Sequence, residues 1–152
     1  SLIKIMDMDK NGVIKQLSVF LENKTGRLNH VAEILGAEGI NMTAFSVADN
    51  SDFGILRVIV SDPQKALTVL KENRFAVSLT DVICLRTSNE PGTLSKVLKI
   101  LEQEQIYIEY MYAFSEGTEA NVVIRPDKLE AGLAALEKNN IKVLSEKDVC
   151  HL

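Results

Sequence analysis

The pattern of residues 23–77, with its turn, helix faces and last strand, returns 66 positions later. Gly26 falls on Gly92 and Asn23 on Asn89, and the same offset puts Leu28 on Leu94, Val31 on Val97, Ile34 on Ile100 and Leu35 on Leu101. It continues through Glu38 on Glu104, Ile40 on Ile106, Leu67 on Leu133, Leu70 on Leu136, Asn73 on Asn139 and Val77 on Val143. Chance matching of apolar residues would not also hold the Asn and Gly of one loop in register with two helix faces, so the chain is read as a tandem repeat. Its 152 residues then make two small modules, each with a marginal core of its own, and pairing of modules is expected from size alone.

Each copy has the same order of periods. Gln16 to Leu21 and Val82 to Thr87 are short strand-like apolar runs, followed by the polar turns Asn23-Lys24-Thr25-Gly26 and Asn89-Glu90-Pro91-Gly92. Leu28, Val31, Ala32 and Leu35 then share a helical face, as do Leu94, Val97, Leu98 and Leu101. Two strands follow, about Asn41 to Ala48 and Phe53 to Val60 in one copy, about Ile106 to Phe114 and Glu119 to Ile124 in the other. Asp49-Asn50-Ser51-Asp52 and Ser115-Glu116-Gly117 supply the hairpin turns between them. A second helix is expected from Asp62-Pro63, and from Asp127 with Glu130 as a capping box. Closing strands are expected at about Phe75 to Leu79 and Ile141 to Leu144.

The fold class is therefore α+β: two ferredoxin-like βαββαβ modules in tandem, each an antiparallel four-stranded sheet with both helices on one face. The expected divisions are a lead-in over 1–12, a first module over 13–79 and a second over 80–152. Ile55-Leu56, Val58-Ile59-Val60, Ile83-Cys84-Leu85 and Val122-Val123-Ile124 are continuous apolar runs, the pattern of strands covered on both sides. Something must pack on the helix-free face or extend the sheet edge, and a homodimer is the expectation.

The turn Asn23-Lys24-Thr25-Gly26-Arg27-Leu28, and more closely Asn89-Glu90-Pro91-Gly92-Thr93-Leu94, resembles the Asn-x-Pro-Gly-x-Leu turn that opens the first helix of ACT domains. The resemblance covers nearly the whole chain after about Val13 and looks like the stand-alone tandem ACT proteins. It implies a non-catalytic regulatory protein that binds a free amino acid at module interfaces, without a cofactor, and reports to an enzyme of amino-acid metabolism. In amino-acid-regulated ACT domains the turn Asn is joined by an Asn early in the second strand of the neighbouring module. Carried over, the ligand residues are Asn23, Thr25, Gly26, Arg27, Leu28, Asn41 and Met42 in the first copy. Those of the second are Asn89, Pro91, Gly92, Thr93, Leu94 and Tyr107, with Tyr107 standing where the strand Asn is expected.

The chemistry of such a turn can be stated on its own. Glycine permits close backbone approach, and the free N–H groups of the next helical turn, aided by its dipole, suit a carboxylate. An Asn side chain offers donor and acceptor to a paired ammonium and carboxylate. The bland alternative is that turn Asn and Gly serve only left-handed backbone and local hydrogen bonds. Tyr107, Tyr110 and Tyr112 are read as interface aromatics on an edge strand. Glu109 and Glu116 would favour a basic amino acid if they faced the ligand, and otherwise face solvent.

Other functions fit less well. A net charge of −4 without a Lys/Arg cluster argues against nucleic acid, and the second copy lacks the stacking aromatics of an RNA-binding sheet, Glu119 to Ile124 reading EANVVI. His30 lies off the apolar helix face and His151 has no partners, so no catalytic or metal constellation is evident. Asp7-Met8-Asp9-Lys10-Asn11-Gly12 imitates the start of a calcium loop, but Ser18 stands where its bidentate Glu belongs. Cys84 and Cys150 have no metal-type spacing and read as reduced thiols of a soluble, cytoplasmic protein with no membrane association. An adaptor without ligand and a small enzyme of the same topology are the remaining alternatives.

Overall fold

The computed structural model describes residues 12–49 and 52–150, and the calcium-like residues 7–11, Asn50, Ser51 and His151 lie outside them. The chain divides into two compact units: Lys15–Thr80 with 149–150, and Asp81–Asp148 with 12–14.

The first unit contains β1 (Val13–Glu22), α1 (Arg27–Ala37), β2 (Met42–Asp49), β3 (Phe53–Val60), α2 (Pro63–Glu72) and the opening of β4 (Ala76–Ser88). Its strands run in the order β2-β3-β1-β4, with β2 at an edge. The β1–β3 and β2–β3 pairings are antiparallel, Glu22 lying opposite Phe53 and Met42 opposite Val60. Strand residues of one parity, Leu17, Val19 and Leu21 with Leu56, Val58 and Val60, pack against Val31 and Leu35 of α1 and Ala66, Val69 and Leu70 of α2. This is how a period of two meets a period of 3.6 in one core.

The second unit is the same device. It comprises the rest of β4, α3 (Thr93–Gln103), β5 (Ile108–Glu116), β6 (Glu119–Pro126), α4 (Leu129–Lys138) and β7 (Lys142–Val143). Its strand order is β7-β4-β6-β5. The core positions repeat at the offset of 66: Ile83, Leu85, Val122, Ile124, Val97, Leu101 and Leu136 answer Leu17, Val19, Leu56, Val58, Val31, Leu35 and Leu70. The tandem ferredoxin-like architecture expected from the repeat is thus present.

The opposite sheet faces are also largely buried, as the continuous apolar runs require: Ile59, Val82, Cys84 and Val123 are all at most 1% exposed. Polar residues there are bonded locally. Gln16 Nε2 donates to Ser18 Oγ at 3.1 Å, which lies 3.1 Å from Thr80 Oγ1, and Arg86 Nε donates to Asn121 Oδ1 at 2.9 Å.

Two local expectations are corrected, and one further element joins them. The closing strand of the first copy and the opening strand of the second are one extended element, β4, because no Gly or Pro interrupts Phe75 to Ser88 and Arg125 Nη1 takes the Asp81 carbonyl at 2.6 Å. The capping box at α4 does not form. Its N-cap is Lys128 without a side-chain bond, while the Asp127 carboxylate accepts the Tyr107 N–H at 2.9 Å. A short α5 (Glu146–Cys150) follows β7, its start fixed by Ser145 and Asp148 bonding each other's backbone N–H. Gly12 is no calcium-loop residue: its N–H donates to Leu144 O at 2.8 Å and its carbonyl accepts from Cys84 N–H at 3.3 Å.

Candidate functional site

Both polar turns are built alike. Gly26 (φ 91°) and Gly92 (φ 86°) are left-handed N-caps of α1 and α3, and neither helix start has a side-chain cap. An L-residue with a Cβ is disfavoured at that φ, so the turn needs glycine. The Gly26 carbonyl already accepts the His30 N–H at 2.9 Å and the Gly92 carbonyl the Lys96 N–H at 3.3 Å, which starts each helix on schedule. The Arg27 and Thr93 N–H groups turn back to the Lys24 and Glu90 carbonyls at 3.4 and 3.3 Å, and the remaining first-turn amides lie at exposed turns with no side-chain cap, the arrangement that favours an anion.

What surrounds the turns differs. In the first, Lys24 pairs with Glu22 at 3.0 Å and, with Arg27, holds the Glu22 carboxyl below its usual range. The Arg27 guanidinium sits 4.3 Å above the centre of the Phe75 ring, and His30 meets the same ring edge-on at 5.4 Å. His30 is exposed and serves this stack. In the second turn, Ser88 Oγ and Thr93 Oγ1 lie 3.1 Å apart, and Asn89 N–H donates to Thr118 O at 2.8 Å. Asn23, Thr25, Leu28, Asn89, Pro91 and Leu94 are exposed, while Arg27 and Thr93 are half-buried.

The strand starts carry the remaining site residues. Asn41 N–H donates to Ser61 Oγ at 2.9 Å and its carbonyl accepts from Ser61 N–H at 3.0 Å. Tyr107 has the same double link to Asp127, through the Asp127 carboxylate and N–H, both at 2.9 Å. Ser61 and Asp127 stand 66 positions apart, so the repeat offset would have pointed to them, although periodicity did not. Each link holds the strand entry rigid and leaves the residue itself exposed, Tyr107 by 69%.

Register decides what these groups can do together. Glu22 pairs with Phe53 and Met42 with Val60, so the turn and the strand start of one module lie at opposite ends of β3, roughly 23 Å apart at the usual rise. Asn23 and Asn41 of the same module are not brought together. A site using both kinds of residue takes its strand start from another module.

Two further expectations find their place. Glu109 lies 3.5 Å from Arg125 and Glu116 lies 3.4 Å from Arg86, so both carboxylates are matched by arginines of their own module. Cys84 is a free, buried thiol pushed up to about 12 by burial. Among the described residues there is no cluster of three metal-binding side chains, and no helix is long and apolar enough to cross a membrane.

Two βαββαβ modules in one chain, each with a glycine-opened first helix, define a tandem ferredoxin-like pair. Residues 12–152 match the family model of the ACT domain pair, and the chain belongs to that family. Among solved structures it is similar to protein BT0572 from Bacteroides thetaiotaomicron, at 49% identity and a TM-score of 0.90, covering 93% of this chain and 99% of that one. The fold is also that of the regulatory subunit of aspartate kinase from Thermus thermophilus, in its ligand-free form, at 15% identity and a TM-score of 0.59, covering 86% and 97% of the two chains. The regulatory subunit from Thermus flavus gives 18% and 0.58 over 86% and 97%. Among curated proteins none matches.

Proposed function

We propose that this protein is a non-catalytic regulator that binds a free amino acid. The carboxylate lies against the first-turn amides at Gly26 or Gly92, and the ammonium is held by the turn Asn and the strand start of another module. The observation that carries this is the pair of helix starts with left-handed glycine caps and no side-chain cap. Family membership and the likeness to regulatory subunits of an amino-acid kinase support it. The first module's strand start carries Asn41 and the second carries Tyr107, so the two strand starts offer a ligand different contacts.

The second module reaches the site through a homodimer. Edge strand β2 is open on one side, and its Phe45 and Val47 are exposed. Antiparallel pairing of two such edges sets the start of one β2 against the end of the other, the end of the sheet that carries the 23–26 turn. Two or three charge-assisted hydrogen bonds, less immobilisation, suggest micromolar to submillimolar affinity. Ligand occupancy then favours one module arrangement, which a partner enzyme of amino-acid metabolism in the cytoplasm reads.

Thermal-shift screening of the full chain against the common amino acids tests this. One of them at about a hundredfold excess over its dissociation constant adds about 2.7 kcal/mol of stability. Asn23→Ala and Asn41→Ala each remove the shift while leaving the fold intact. No shift with any amino acid at millimolar concentration refutes the proposal, leaving an adaptor that uses only the apolar edge.

A further inference from the structure

We infer that the strand start of the second module takes an amino acid with an apolar side chain, seated in the open groove between α3 and the beginning of β5. This rests on the amino-acid-binding reading above and adds to it the class of side chain. The groove, about 470 Å³, lies wide open to solvent. Leu101 and Ile106, 1% and 6% exposed, make its floor, Leu98 and Ile108 its half-buried walls, and Tyr107 its exposed lip. Apart from the Tyr107 hydroxyl, its polar lining is Glu102 in the last turn of α3 and Gln105 just beyond that helix, both exposed.

Position and contrast between the modules argue for this occupant. Tyr107 stands where the first module has Asn41, so a ligand held at that strand entry has its side chain beside the groove. At the same offset Leu98, Glu102 and Gln105 answer Ala32, Gly36 and Gly39, which have little side chain with which to wall one. Gln105 keeps its side chain at the rim from a left-handed backbone (φ 56°), where Gly39 (φ 70°) has none to hold. Glu102 repels an acidic side chain, and because it is exposed at the rim, a basic one paired with it would stand in solvent and leave the Leu101 and Ile106 floor uncovered. Glu109 and Glu116, which would attract a basic one, are matched by Arg125 and Arg86. The lining that remains is hydrocarbon, and an apolar side chain is the one it desolvates without leaving a polar group unpaired.

Calorimetric titration of the full-length protein with leucine, methionine and phenylalanine, against serine, aspartate and lysine, tests the inference. An apolar amino acid binds, and Leu98→Gln weakens it about tenfold, the usual scale for a disturbed hydrocarbon contact in a pocket. Should Leu98→Gln fail to fold, Tyr107→Ala at the exposed lip gives the same weakening. Binding by the polar amino acids alone overturns the inference and leaves the amino-acid-binding reading standing. So does binding of an apolar one that Asn89→Ala abolishes and neither Leu98→Gln nor Tyr107→Ala changes. Absence of binding by any amino acid removes both. If apolar amino acids fail to bind and Leu98→Gln turns a dimer into monomers by light scattering, the groove belongs to a second copy and the inference is overturned.

Discussion

Three left-handed glycines separate backbone cost from packing cost. Around Gly26 no atom lies within 4 Å of where a Cβ would stand, so Gly26→Ala adds only left-handed strain, about 1–2 kcal/mol. At Gly12 (φ 89°) a Cβ would come 2.5 Å from Leu133 Cδ1 and 2.9 Å from Val143 Cβ, so Gly12→Ala adds overpacking of about 1–3 kcal/mol to the same strain. Urea denaturation should rank Gly12→Ala well below Gly26→Ala; equal losses would place the cost in the backbone alone. Gly92 is open like Gly26, so these turn glycines answer to conformation and leave the space above them clear. Cys84 gives a pH test at the same scale. Burial raises its thiol from the ordinary 9.0 to about 12, so its neutral form supports the fold fully below about pH 9 and that support is lost as pH rises toward 12. The stability difference between the wild type and Cys84→Ala should therefore shrink across that window, and a pH-independent difference would contradict the assignment.

At the scale of elements, the cap of α2 was legible and that of α4 was not. Asp62 accepts the Lys65 N–H at 3.2 Å ahead of Pro63, as its sequence signature implies. Asp127-x-x-Glu130 carries a similar signature, but its Asp links to Tyr107 instead, as Ser61 does to Asn41. A capping motif tells which residues can cap, while the strand brought alongside decides which do. Asp62→Ala should lower stability by about 1 kcal/mol. Glu130→Ala should stay within about 0.5 kcal/mol, and comparable losses from both would restore the capping box. The helix faces, the hairpin between β5 and β6 and the glycine turns were readable because each depends on local period or backbone chemistry. The fusion of two expected strands into β4 was not, because repeat arithmetic divides a chain where the backbone need not bend. Nor was the Arg27, His30 and Phe75 stack, whose members come from α1 and from the approach to β4.

The molecule as a whole presents the same apolar strip twice. Phe45 and Val47 of β2 are 60% and 52% exposed and Leu28 of α1 is exposed as well, and at the repeat offset Met111 of β5 and Leu94 of α3 are exposed. Large apolar side chains along an open strand edge invite pairing with another chain, and a protein that keeps them in both of its repeats is built to have them covered. A charge at the centre of the strip tests this without touching a core, since Phe45 belongs to neither buried cluster. Phe45→Lys should convert a dimer into monomers in sedimentation at micromolar concentration while leaving the circular dichroism spectrum unchanged. Because the turn and strand start of one module lie at opposite ends of β3, the same variant should also lose the amino-acid thermal shift. Asn23→Ala should lose the shift and remain dimeric, which separates assembly from recognition. A wild-type protein that is monomeric at micromolar concentration would remove the dimer. A monomeric Phe45→Lys that still binds with full affinity would mean that the turn meets its strand start within a single chain.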